Sequence, residues 1–134
     1  MIDEIQKSFF EGVIDKIKTI TGIDCVFFLD INYQNIKEQK ITDSGIYCQQ
    51  IQNLFKSEAL FDKIANNFYS KPFHTYTMLN ENGLIVITKM NNTKESFYMV
   101  ITAGEKEPVD LINLLKICKE SRLGFENIST ANVI

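Results

Sequence analysis

The 134-residue chain is poor in the groups on which enzyme chemistry is usually built. It has one histidine, His74, and one arginine, Arg122. A single histidine excludes an H-E-x-x-H zinc helix and other sites that need paired imidazoles. His74 stands between Phe73 and Thr75 with no ligand pattern around it, and reads as a strand-end residue. Arg122 falls near the end of the last helical pattern, where a cation complements the carboxyl end of a helix. The three cysteines, Cys25, Cys48 and Cys118, form no C-x-x-C pair and have apolar neighbours, so they read as reduced core thiols. No G-x-S-x-G elbow is present. Acid pairs such as Glu105 and Glu107 fall on a solvated turn. No catalytic residue, metal ligand or cofactor site emerges, and the chain reads as non-enzymatic.

Other absences bound its surroundings. No apolar run approaches the roughly 20 residues that cross a bilayer. The opening MIDEIQKSFF carries acids where a signal peptide carries a basic segment. A formal net charge of −3 argues against nucleic acid or an anionic membrane as the main partner. These features point to a soluble, cytoplasmic protein. Only two prolines and six scattered glycines are present, with no interdomain linker among them.

Hydrophobic residues make up 45% of the chain, enough for one ordinary domain to bury a core. Ile5, Phe9, Val13, Ile17 and Ile20 recur at spacings of three and four, which predicts a helix over Ile2 to Ile20. Gly22 can take the left-handed cap conformation after it. GIDCVFFLDIN reads as a strand apolar on both faces. The alternation Ile36–Glu38–Lys40 reads as an exposed edge strand paired back on it. Asp43 and Ser44 are good N-caps for a central helix from about Tyr47 to Tyr69, which Lys71-Pro72 ends. HTYTMLN, LIVITKM and SFYMVITAG follow as strands, with NENG and NNTKE as turns. Val109, Ile112, Leu115 and Cys118, widened by Leu111 and Leu114, predict a last helix, with Gly124-Phe125 as its C-terminal cap. The order α-β-β-α-β-β-β-α with short connections implies an α/β (α+β) fold. The expected architecture is a three-layer α/β/α sandwich on a five-stranded, mostly antiparallel sheet.

Two stretches come near a known binding motif and fail. ITAGEKEPVDLINLLK passes from strand to helix, the kind of junction that cradles phosphate. It offers one glycine and three repelling carboxylates, Glu105, Glu107 and Asp110, and Pro108 removes a donor. DINYQNIKEQKI has Asp30, Asn32 and Gln34 at alternate positions of a calcium loop. Asn35 and Ile41 stand where that loop needs glycine and glutamate.

What remains is surface. At 100° per residue the central helix places Ile51, Leu54, Phe55, Leu60, Phe61, Ile64, Ala65 and Phe68 on one continuous arc. That is wider than the stripe one sheet can cover. A second copy of the chain is the simplest supplier of the further contact, and loops or a neighbouring helix are the alternative.

The element order, with the long helix YCQQIQNLFKSEALFDKIANNFY between strand pairs, resembles the roadblock domain, the family of dynein light chains. The resemblance spans IDEIQKSFFEGVIDKIKTI through VDLINLLKICKESRLGF. It implies one domain over 1–126 and a short tail over 127–134. It further implies a dimer, with itself or with a paralogous chain, in which central helices pack together and third strands pair. The implied interface is Ile51, Leu54, Phe55, Glu58, Phe61, Ala65 and Phe68 on the helix, and Thr75, Tyr76, Thr77 and Met78 on the strand. Family members act as platforms for Ras-like GTPases or as adaptors in motor and motility complexes. One departure is the hairpin LDINYQNIKEQ, which lacks the glycine often found at that turn. The competing assignment is a PAS- or GAF-like sensor, which mixes the same elements but encloses a small ligand.

Overall fold

The computed structural model describes residues 4–32, 34–41, 74–80, 83–92, 94–104 and 109–131. Helix α1 (Glu4–Ile17) is followed by strands β1 (Ile23–Leu29) and β2 (Asn35–Lys40). Strands β3 (Thr75–Asn80), β4 (Gly83–Asn91) and β5 (Ser96–Gly104) precede helix α2 (Leu111–Ala131). The five strands form one sheet in the order β2-β1-β5-β4-β3, and every neighbouring pair is antiparallel. The fold is therefore α+β. The expected central helix, Tyr47–Tyr69, lies outside the described residues, and so does the third layer it would form.

Alternation along the strands sorts side chains to two faces. Ile23, Val26, Phe28, Leu84, Val86, Met90, Phe97, Met99, Ile101 and Ala103 join Phe10, Val13, Ile14 and Ile17 of α1 and Leu114, Cys118 and Phe125 of α2 in one core. The opposite face carries a second buried cluster of Cys25, Phe27, Leu29, Ile87, Tyr98 and Val100, against which Tyr76, Met78 and Ile85 pack. β1 and β5 are buried on both faces, as the continuous apolar reading of β1 requires.

The first core is tied by aromatics. Phe10 stacks on Phe28 with ring centroids 4.2 Å apart and meets Phe97 edge-on at 5.5 Å. Phe125 meets Phe97 edge-on at 5.4 Å and Phe9 at 5.6 Å. These separations fall in the favourable range for aromatic pairs.

Helix ends differ from the sequence reading. α1 stops at Ile17 rather than Ile20, because its last bonds tighten to i−3: Thr19 N–H donates to Lys16 and Ile20 N–H to Ile17. Ile20 is still buried, and Gly22 takes φ 95°, left-handed as its position suggested. Gly124 does not end α2, which runs on through Ala131, past residue 126. Phe125 is a core residue rather than a cap contact. The buried stripe of α2 is Leu114–Cys118–Ser121–Phe125, which leaves Ile112 83% exposed instead of in the core. The apolar residues of this helix span more than one face, and Phe125 decides which face turns inward.

Turns are held by side chains where glycine is missing. Asp30 Oδ1 accepts from the N–H groups of Asn32 and Gln34, and Asp30 N–H donates to the Gln34 carbonyl. That Asx turn closes the β1–β2 hairpin without glycine and leaves β2 in register with β1 from Cys25↔Lys40 to Phe28↔Lys37. Asn92 does the same between β4 and β5, accepting from Lys94 and Glu95. Gly83, the last residue of NENG, is required by close approach: a Cβ there would lie 2.5 Å from the Ala103 carbonyl oxygen. Gly83→Ala is therefore expected to lower stability by about 1–3 kcal/mol, read from urea unfolding monitored by circular dichroism.

Candidate interaction surface

A sheet has two edges, and here they differ in chemistry. β2 forms one edge with the sequence NIKEQK. Lys37 reaches Glu11 of α1 at 3.8 Å, and Glu38 lies beside Asn35 and the Cys25 thiol. Charged side chains along an edge discourage pairing with another chain. β3 forms the other edge with TYTMLN, which has no charge and no proline. Its pairing with β4 is unbroken from Thr75↔Thr88 to Asn80↔Gly83, with no bulge to twist the edge away.

The ladder fixes which backbone groups of β3 look outward. Lys89 N–H donates to the His74 carbonyl, so His74 and Lys89 exchange ladder bonds. By alternation, residues 76, 78 and 80 also face β4. Thr75, Thr77 and Leu79 then direct their N–H and C=O groups away from it, and among the described strands β3 has β4 as its only neighbour.

The four interface residues expected on this strand thus lie on an edge, divided between two faces. Tyr76 and Met78 pack on the second cluster. Thr75 and Thr77 turn to the face carrying α1 and α2. The Thr75 and Thr88 hydroxyls are 3.3 Å apart, anchoring β3 to β4. Thr88 also hydrogen-bonds the Cys118 thiol, and burial pushes that thiol's pKa up, so Cys118 is held as a core thiol. Cys25 is buried too, whereas Cys48 lies outside the described residues. The interface residues expected on the central helix, Ile51, Leu54, Phe55, Glu58, Phe61, Ala65 and Phe68, also lie outside them. Leu79, the end of the strand expected to pair, is 74% exposed and lies one alternation beyond Thr77.

The groups considered for chemistry are occupied otherwise. His74 is an exposed residue at the foot of β3. Arg122 is not at a helix end; it is inside α2, half-buried, and pairs with Glu126 at 3.2 Å. Asp110 caps α2, accepting from Asn113 N–H at 3.1 Å and from its side-chain amide at 2.6 Å. Its carboxylate therefore stands at the helix amino terminus, where a phosphate would need to sit. Between this cap and the turn after α1 runs an open, polar groove of about 450 Å³ lined by Thr19, Thr21, Asn113, Lys116 and Glu120. Among the described residues no three His, Cys, Asp or Glu side chains come together as a metal site, and no helix is long and apolar enough to cross a membrane.

No family model and no curated protein matches the sequence. Solved structures do match the fold. A structure of MglB in a tetrameric arrangement superposes with a TM-score of 0.75 at 11% identity, covering 98% of this chain and 94% of that one. The gliding protein MglB from Thermus thermophilus gives 0.70 at 10% identity, covering 95% and 94%. A Roadblock/LC7 domain from Streptomyces avermitilis gives 0.56 at 9% identity, covering 85% and 92%. By its architecture, this chain has a roadblock-like fold.

Proposed function

We propose that this protein is a non-enzymatic, self-associating platform that binds a Ras-like GTPase or a motility complex. The observation that carries the reading is the β3 edge: uncharged, unbulged, and opposite a β2 edge defended by Lys37, Glu38 and Lys40. Two copies joined there continue one sheet from protomer to protomer. The apolar arc read on the central helix, with Ile51, Leu54, Phe55, Phe61, Ala65 and Phe68, supplies the second contact.

The roadblock-like fold supports the partner class. One structural relative is a tetrameric arrangement and another is a gliding protein, which favours assembly and motility as the setting. The chain works by offering surface. If a bound GTPase hydrolyses faster, the acceleration comes from repositioning the GTPase's own residues, because Arg122 is committed to Glu126 within α2. Domain limits follow the same reading, with 1–126 as the working unit.

Light scattering over a dilution series is expected to give a dimer, and Leu54→Asp with Phe61→Asp to give monomer or insoluble protein. A soluble double variant that stays dimeric would refute the helix contact. Pull-down with GTP- and GDP-loaded Ras-like GTPase tests the partner class: capture of neither form counts against it. Arg122→Ala is expected to leave any stimulated hydrolysis within about twofold of the parent, whereas removal of a true arginine finger costs about 10³-fold or more.

A further inference from the structure

We infer that the solvent face of α2 is a docking site for an acidic amphipathic helix supplied by a different protein. At 100° per residue, Ile112, Lys116, Lys119 and Leu123 fall within about 60° of one another. They lie opposite the buried Leu114–Cys118–Phe125 stripe. Spacings of four, three and four carry the row over about three turns, roughly 16 Å. Ile112 is 83% exposed and Leu123 41%, so an apolar side chain meets water at each end of the row. Lys116 and Lys119 fill the middle and are exposed, and among the described residues neither pairs with an acid. Nothing in the first core uses these four side chains. The row faces away from the sheet, so the inference does not depend on the self-association proposed above.

Charge decides the occupant. Two copies of this row laid together, parallel or antiparallel, set lysine against lysine, and like charges in a contact oppose it. The α1 helix of a second copy fits no better. Its exposed residues Ser8, Glu11, Gly12 and Asp15 offer acids but no apolar group to cover Ile112 or Leu123. A flat anionic bilayer would meet Glu120 and Glu126, which border the lysines on either side, as well as the lysines themselves. A single helix, about 10 Å wide, lies along the row between those acids. Apolar residues at every third or fourth position of that helix cover Ile112 and Leu123. Carboxylates between them reach Lys116 and Lys119 in charge-assisted hydrogen bonds.

Fluorescence anisotropy with two labelled peptides tests the site. Both are helical and about 18 residues long, with leucine at every third or fourth position. One carries glutamates beside the leucines and the other lysines. The acidic peptide should bind the protein at least about tenfold more tightly than the basic one, and more weakly as salt rises. Ile112→Asp should weaken that binding about tenfold by removing an apolar anchor. The substitution falls in the first turn of α2, where an acid suits the helix, and circular dichroism should show the fold intact. Lys116→Glu with Lys119→Glu should reverse the preference, so that the basic peptide binds better. No binding of the acidic peptide, equal binding of the two, or binding unchanged by both variants would overturn the site. So would capture by phosphatidylserine vesicles in place of the peptide, which would assign the row to a bilayer. A change of oligomeric state in Ile112→Asp would also overturn it, by assigning the row to a contact between copies.

Discussion

The outward row of backbone groups on β3 is the constraint on which the proposed reading depends. A hydrogen-bond donor or acceptor on a strand edge must be met by water, by covering structure, or by another strand. On β2, charged side chains keep the edge in solvent. On β3 the threonines, the tyrosine, the methionine and the leucine do nothing of the kind. Among the described residues, one edge of the sheet carries charged side chains and the other carries none.

Everything central in the fold holds that edge straight. β5 and β1 are buried on both faces, and β4 carries the strand that matters. α2 presses Leu114 and Cys118 into the first core, while the Thr88 and Thr75 hydroxyls join β3 to the strand beneath the helix. The Phe10–Phe28–Phe97–Phe125 cluster fixes α1 and α2 side by side, at the end of the sheet where β4 turns into β5. Gly83 brings the β3–β4 hairpin close to Ala103, so the edge strand begins its pairing without a bulge. For the proposed role this rigidity is an advantage, because ordering a mobile strand on binding would cost affinity.

Much of this was legible before the structure. Strand alternation and turn residues located all five strands, since a period of two reports directly on half-buried sheet. The doubly apolar β1 and the polar β2 were visible from composition alone. Three features were not. Gly124 looked like a helix stop, but α2 continues through it to Ala131. Ile112 looked like core, yet apolar residues all round α2 left its orientation to be settled by Phe125, a long-range contact. The first hairpin lacked glycine, and Asp30 replaced it through side-chain bonds that spacing does not reveal. The strand read from HTYTMLN is present as β3. That it is a sheet edge among the described strands required the strand order.

The central claim is that β3 is the edge by which copies join, and residue-resolved hydrogen exchange tests it most directly. The amides of Thr75, Thr77 and Leu79 should exchange more slowly as protein concentration rises, while those of Glu38 and Lys40 on the opposite edge keep one rate throughout. Equal exchange of the β3 amides in dilute and concentrated samples would contradict the account.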